Sequence, residues 1–355
     1  MNILVIGNGF DIAHGLPTSY QEFLRFASEI DDVCVRLQKN GIGIKESTVI
    51  ANEIEALVND NYWINYFMRT SNCGENWIDF ETEISKVIQR LDEIRKIAIK
   101  VQTERHPGAK EQHFSQIENQ YPDISAQFDL KKDQNILEWI QLIKRKALFD
   151  LNRLTRCLEI YLSQYVNRID IKGREIEMIK NLQIDAVLSF NYTNTFEKLY
   201  GNGKIKYHYI HGKADCSHTV DECNMVLGID EYLKGDEKNS DNEFIEFKKF
   251  FQRIYKGTGA EYKVWIRQME EPVIGTTRIR YQFSDIYIFG HSLDVTDKDV
   301  LQELLLCPYA RTHIVYHNKK ALADKIANLV KVIGQDRLIE KTYAEKTQID
   351  FVANV

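Results

Sequence analysis

The stretch that most restricts the fold is the opening one, Met-Asn-Ile-Leu-Val-Ile-Gly-Asn-Gly-Phe-Asp, residues 1–11. Ile3 to Ile6 is a continuous apolar run of strand length, the pattern of a strand buried on both faces in a parallel sheet. Gly7 and Gly9 follow at once, and glycine there lets the backbone turn sharply and approach a ligand closely. Thr18 is the expected N-cap of a helix from about Tyr20 to Ile30, with Gln21 three residues on, as a capping box requires. Strand, glycine turn, loop and helix make the opening of an α/β nucleotide fold, in which the ligand sits above the turn. The third glycine of the dinucleotide fingerprint is missing, because Ile12 stands in its place. On this stretch alone, nucleotide binding and a tight structural turn are equal readings.

Composition narrows the partners. The net charge of -6 supplies no basic field to draw the chain to nucleic acid or an anionic membrane. Gly7, Asn8 and Asp11 interrupt the only early apolar run, so no secretory signal is expected, and no apolar stretch reaches membrane-spanning length. Cys34, Cys73, Cys157, Cys216, Cys223 and Cys307 are scattered and never form a C-x-x-C pair, which implies reduced thiols, a cytoplasmic protein and no zinc ribbon. Cys216, His218, Asp221 and Cys223 lie close together, but their spacing fits no ligand frame, and no metal is expected. Lys248-Lys249, Arg253 and Lys256 interleave with Phe247, Phe250, Phe251 and Tyr255; such a mixture can stack on nucleic acid, but the acidic balance favours an amphipathic helix face.

Taken along its length, the chain divides into an α/β core of residues 1–35 and 180–335, a helical insertion over 45–175 and a C-terminal tail over 336–355. Within the insertion, Ser47 to Met68 has helical periodicity, residues 106–123 read as a loop, and the Gly- and Pro-free stretch from Ile124 to Lys172 reads as a long amphipathic helix. A helix beginning at Asn76 carries Trp77, Phe80, Ile84, Val87, Ile88 and Leu91 on one face. Glu81 falls on that same face, and a carboxylate on a core-facing stripe needs a partner or a function. Strands are expected at Ile184–Phe190, Ile205–Ile210, Met225–Ile229, Asp285–Phe289 and Arg311–His317.

The polar groups cluster at the ends of these strands: Gly7-Asn8-Gly9 with Asp11, Ser189-Phe190-Asn191-Tyr192, His211-Gly212, and Gly290-His291-Ser292-Leu293-Asp294. In a parallel sheet those ends share one edge, where ligands bind. The set suits cleavage of a nicotinamide–ribose bond, which develops positive charge on the ribose. Asn191 would orient a water or the ribose, His211 would accept a proton, and Gly7 and Gly9 would leave room for pyrophosphate over backbone N–H groups. Asn191 serves equally well as a cap for the short helix after it, and His211 as a hydrogen-bonded structural histidine.

Leu4 to Asp11 continued through His14-Gly15-Leu16-Pro17-Thr18-Ser19-Tyr20 resembles the opening signature of the AbiH family of bacterial abortive-infection, anti-phage proteins. Trp77-Ile78-Asp79-Phe80-Glu81, Ser189 to Thr193, His211-Gly212 and Gly290 to Leu293 sit where that family has its other motifs. More distantly, the same residues are similar to the sirtuin-like NAD-binding fold, with Asn191 and His211 matching its asparagine and histidine, and with Thr193 where many members carry Asp. The four-cysteine zinc module of sirtuin deacylases is missing. The resemblance therefore implies a Rossmann-like parallel sheet and a defence NAD hydrolase rather than a deacylase, with a nucleotide-binding sensor or scaffold as the alternative. It implies Asn191 and His211 as catalytic residues, and Gly7, Asn8, Gly9, Asp11, Tyr192, Gly212, Gly290, Ser292 and Asp294 as NAD contacts. A phage-derived trigger and a homo-oligomer are the further partners it leaves open.

Overall fold

The computed structural model describes residues 1–71, 79–103, 108–131, 134–271, 273–274, 279–280, 283–343 and 348–354. Its strands are β1 (Ile3–Ile6), β2 (Ala186–Ser189), β3 (Lys206–Tyr209), β4 (Val273–Ile274), β5 (Ile279–Arg280), β6 (Ser284–Phe289), β7 (Ala310–Tyr316) and β8 (Ile349–Ala353). β4 and β5 form a small antiparallel pair; the other six make one sheet in the order β3-β2-β1-β6-β7-β8, parallel throughout. The fold is α/β, as the unbroken apolar run at Ile3–Ile6 implies: all four residues are buried, and β1 pairs with β2 on one side and β6 on the other. The chain winds outward from β1 through β2 to β3, then returns to β6 on the opposite side of β1. The junction of β1 and β6 is therefore the topological switch point, and the carboxyl ends of these strands open a crevice there.

Helices cover the sheet. On one face, Val5, Leu188, Ile288 and Ile314 pack with Trp265, Leu301 and Leu329 from the helices Glu261–Glu270, Lys298–Leu305 and Lys319–Ile333. On the other, Leu4, Ile6, Val187 and Val315 pack with Phe10 and Phe196 from the short helices Asn8–Ala13 and Thr195–Tyr200. Between β1 and β2 the described residues are mostly helical and build a further core around Phe67, Phe80, Ile84 and Leu151. No described helix is long and apolar enough to cross a membrane.

Several local expectations need correction. A helix already begins at Asn8, directly after the first glycine. The next, Tyr20–Ser28, is capped by Ser19 rather than Thr18, with Glu22 completing the capping box in place of Gln21. The Thr18 hydroxyl is engaged elsewhere, donating to Asn8 Oδ1 at 2.5 Å. Residues 106–123 are not all loop, since Ala109–Gln120 is helical. The stretch from Ile124 is not one helix: Pro122–Gln127 ends early, Asp129 takes a left-handed conformation (φ 48°) that stops helix propagation, and Asn135 caps a new helix at Ile136–Ile160. Met225–Ile229 joins no sheet. Its backbone bonds to His211 and to the Gln252 side chain, and an isolated parallel bridge ties Ile229 to Phe247 and Lys249, so its apolar run marks buried chain outside the sheet. Residues 336–355, expected as a tail, contribute the edge strand β8, paired in parallel with β7. Trp77 and Ile78 lie outside the described residues; the helix after them runs Phe80–Thr103, with Phe80, Ile84, Val87, Ile88 and Leu91 fully buried on one stripe.

Candidate functional site

A cavity of about 890 Å³ occupies the switch-point crevice. Gly7, Asn8, Gly9, Asp11, Asn191, Tyr192, His211, Gly290, Ser292 and Asp294 all line it, so the four strand ends meet in one place. Gly212 is not among its lining residues. That glycine has φ 80° and its backbone lies against Asn224, so its lack of a side chain serves a turn.

The glycines of the first turn serve close packing of backbone on backbone. A Cβ at Gly7 would lie 2.7 Å from His291 Cα, and one at Gly9 2.8 Å from the Gly290 carbonyl oxygen. Gly290 has φ 69° and abuts Phe10 N. The Gly9 N–H donates to the Gly290 carbonyl at 2.8 Å and the Gly7 N–H to the Phe289 carbonyl at 3.2 Å. The β1 and β6 turns are thus locked together, and these two amides are already engaged, whereas the sequence suggested them as a pyrophosphate cradle.

Asn191 adds a third tie: its Nδ2 donates to the Gly7 carbonyl at 2.9 Å. It does not cap the helix Thr195–Tyr200, whose N-cap is Asn194. Asp11 is buried and accepts from the Thr193 hydroxyl on Oδ2 at 2.5 Å, while its Oδ1 has no partner. Burial pushes the Asp11 carboxyl up to about 6 despite hydrogen bonds from Thr193 and Thr195 and the attraction of Lys198. The Tyr192 hydroxyl donates to the Val226 carbonyl at 2.8 Å, pinning the irregular 225–229 segment beneath the site. Asp294 caps the turn Val295–Asp297 through the Thr296 N–H at 3.0 Å.

That capped turn delivers Asp297, the centre of a buried charge cluster. Asp297 Oδ1 lies 2.9 Å from His211 Nε2 and 2.9 Å from Lys249 Nζ, and its Oδ2 lies 3.5 Å from His291 Nε2. Lys249 Nζ also reaches Glu81 Oε2 at 2.7 Å, so the carboxylate flagged by helical phase both faces the cavity and has a cationic partner. Burial raises the Asp297 carboxyl, but Lys249 and His211 outweigh it and hold the group well below the usual carboxylate range. Glu81 goes the other way: burial, helped by Asp297 and Asp79 against Lys249, brings it to about 7. Lys249 is held protonated, because Asp297 and Glu81 outweigh its burial.

The two histidines share a tautomer but differ in what the other ring nitrogen meets. His291 Nδ1 accepts the Leu293 N–H at 2.9 Å, so its proton sits on Nε2, toward Asp297. His211 is depressed to about 4, chiefly by burial, against the pull of Asp297. It is therefore neutral at physiological pH, with Nε2–H donating to Asp297. Its Nδ1 is then a lone pair, buried and without a hydrogen-bond partner among the described residues. A neutral imidazole oriented by a carboxylate, with its second nitrogen free, is the arrangement of a general base.

Two members of this cluster escape sequence reading, Lys249 and Asp297, whereas His291 belongs to the strand-end motif Gly290 to Asp294. Lys249 is concealed in the Lys–Phe-rich stretch, where it shares the buried face of the helix Lys249–Tyr255 with Gln252. Asp297 was detectable only as a second aspartate three residues beyond Asp294. The neighbouring Cys216–Cys223 segment supplies no metal frame: His218 Nδ1 pairs with Glu159 Oε1 at 2.7 Å, and no group of three or more His, Cys, Asp or Glu is placed for a metal among the described residues.

A comparison with curated proteins finds no match. The family model described as Bacteriophage abortive infection AbiH matches residues 3–316. That span runs from the first residue of β1 to the last of β7, and so includes the carboxyl ends of β1, β2, β3 and β6 as well as Glu81, Lys249 and Asp297; the chain belongs to the AbiH family.

Proposed function

We propose that this chain, an AbiH-family abortive-infection protein, binds NAD in the switch-point cavity and hydrolyses its nicotinamide–ribose bond. The observation that carries the reading is His211: a neutral imidazole, held by Asp297 at 2.9 Å, with a buried Nδ1 that has no partner among the described residues, on a side chain that lines the same cavity as Asn191. In the reaction a water oxygen attacks the ribose anomeric carbon and the C–N bond breaks. Its electron pair leaves with nicotinamide, and the water proton passes to His211 Nδ1. Asp297 stabilises the imidazolium that forms, and the nearby carboxylates of Asp11 and Glu81 favour the positive charge that develops on the sugar. The cavity volume of about 890 Å³ suits a ligand larger than a mononucleotide.

A second reading, a nucleotide-binding sensor without turnover, has one observation in its favour: the low basicity of His211, at about 4. One experiment separates the two. Purified protein is incubated with NAD and nicotinamide is followed by chromatography, with the same measurement in phage-infected cells. His211→Ala and Asn191→Ala should each abolish nicotinamide release and phage protection while the protein stays folded. Protection that is lost in these variants although wild-type NAD never falls would establish the sensor.

A further inference from the structure

Another part of the cavity, beside the turn after β6 and lined by the helix Lys319–Ile333, holds a different kind of charge. Four cations are buried among the described residues: Arg156, Lys248, Lys249 and Lys325. Arg156 pairs with Glu159 at 2.8 Å, Lys248 with Glu231 at 2.9 Å, and Lys249 with Glu81 and Asp297. Lys325 is 8% exposed and lines the cavity, yet its ammonium meets a carbonyl, that of His291, and no carboxylate of the described residues. Burial alone acts on it, lowering the amine to about 8, so it is still mostly protonated at neutral pH.

An isolated buried ammonium is costly, and proteins retain one where a counter-charge arrives from outside. The surroundings are shaped for an anion. Asn328, one turn along the helix, donates to the Ser292 carbonyl at 3.0 Å, so two side chains of this helix grip the turn after β6. The Ser292 hydroxyl accepts only a long contact from Asp294 N, 3.4 Å, which leaves its hydrogen available to a ligand. Of the two carboxylates nearby, Asp294 is occupied as a cap and Asp324 is exposed to solvent.

We infer that the Lys325 end of the cavity is an anion subsite that takes a phosphate group of the ligand, with Lys325 as counter-charge and the Ser292 hydroxyl as a second donor. This rests on reading the cavity as a nucleotide site and specifies which end receives the phosphates.

The test is calorimetric titration of the full-length protein with ADP, inorganic pyrophosphate and adenosine. Wild type should bind ADP, and Lys325→Met should weaken that binding at least about tenfold, the loss of one charge-assisted contact. Lys325→Arg should keep it within a few-fold, and adenosine should bind equally to all three. Lys325→Gln serves if the Met variant does not fold. ADP tighter than pyrophosphate assigns the subsite to a nucleotide, and equal affinities assign it to a free polyphosphate; both support it. Unchanged ADP affinity in folded Lys325→Met or Lys325→Gln, or no binding of either phosphate by wild type, overturns it. The hydrolase reading fails separately, if ADP binds through Lys325 but wild type never releases nicotinamide from NAD in vitro or during infection.

Discussion

Around Asp297 the cavity packs Lys249, His211, His291 and Glu81 into one mutually compensated group, whereas at its other end Lys325 is buried with only a carbonyl for company. Both ends lie on the same sheet edge and are equally removed from water. On the proposed reading, the two parts have different tasks. A compensated cluster fixes protonation states and geometry before any ligand arrives, which is what acid–base chemistry needs. An uncompensated charge gives up stability in the free protein and recovers it when an anion binds, which is what recognition needs.

Substitutions at the two ends should therefore separate rate from affinity. His211→Ala should lower NAD turnover by roughly 10²–10⁴-fold, the usual contribution of a general base, with ADP binding retained. Lys325→Met should raise KM more than it lowers kcat. Equal effects on both parameters from both substitutions would erase the distinction.

Stability should split the same way. Lys249→Met removes the lysine cation that Asp297 and Glu81 share, leaves Asp297 with only the two imidazoles, and should cost roughly 3 kcal/mol in urea unfolding. Lys325→Met replaces an unpaired cation with an apolar side chain of similar length and should lie within about 1 kcal/mol of wild type, or above it. A severe loss at Lys325 would mean that its bond to the His291 carbonyl is chiefly structural.

The pH dependence sharpens the contrast further. The His211 imidazole is depressed from 6.5 to about 4, so the native state favours the neutral ring, and its stabilisation is complete above pH 6.5 and lost as the pH falls to 4. The stability difference between wild type and His211→Gln should shrink over that window by on the order of 3 kcal/mol. Glu81 works in the opposite sense, since its carboxyl is raised from 4.5 to about 7 and its stabilisation is present below pH 4.5 and lost as the pH rises through 7. Comparison with Glu81→Gln isolates that part. Lys325 is depressed from 10.5 to about 8, so wild type should gain on Lys325→Met as the pH rises from 8 to 10.5, again by on the order of 3 kcal/mol. The smallest effect is expected at Ser19→Ala, which removes the capping box of Tyr20–Ser28 and should cost about 1 kcal/mol at neutral pH in urea unfolding.

What the sequence reveals, and what it conceals, follows from the range of the interactions. Ile3–Ile6 is legible because a strand buried on both faces must be apolar throughout, and the strand-end motifs are legible because glycine, asparagine and histidine interrupt apolar runs abruptly. Met225–Ile229 misleads because burial alone makes a run apolar, and its hydrogen bonds go to a side chain and a loop rather than to a strand. β8 is concealed because a short edge strand with Asp350 in it lacks the continuous apolar run of the inner strands. Glu81 could be found from helical phase, yet its partners could not: Lys249 and Asp297 come from segments far apart in the chain, and only the fold brings the three to one point. The same holds for Lys325, which reads as an ordinary helix-surface lysine until its burial is seen.

The most direct test is NAD concentration in cells through a phage infection, for wild type and for His211→Ala expressed at equal levels and shown to be folded by circular dichroism and a cooperative melting transition above the growth temperature. NAD should fall, with nicotinamide accumulating, only in cells carrying the wild-type chain, and protection should disappear with the imidazole. NAD falling at the same rate in both would contradict His211 as the base, and protection by wild type with NAD unchanged would contradict hydrolysis altogether.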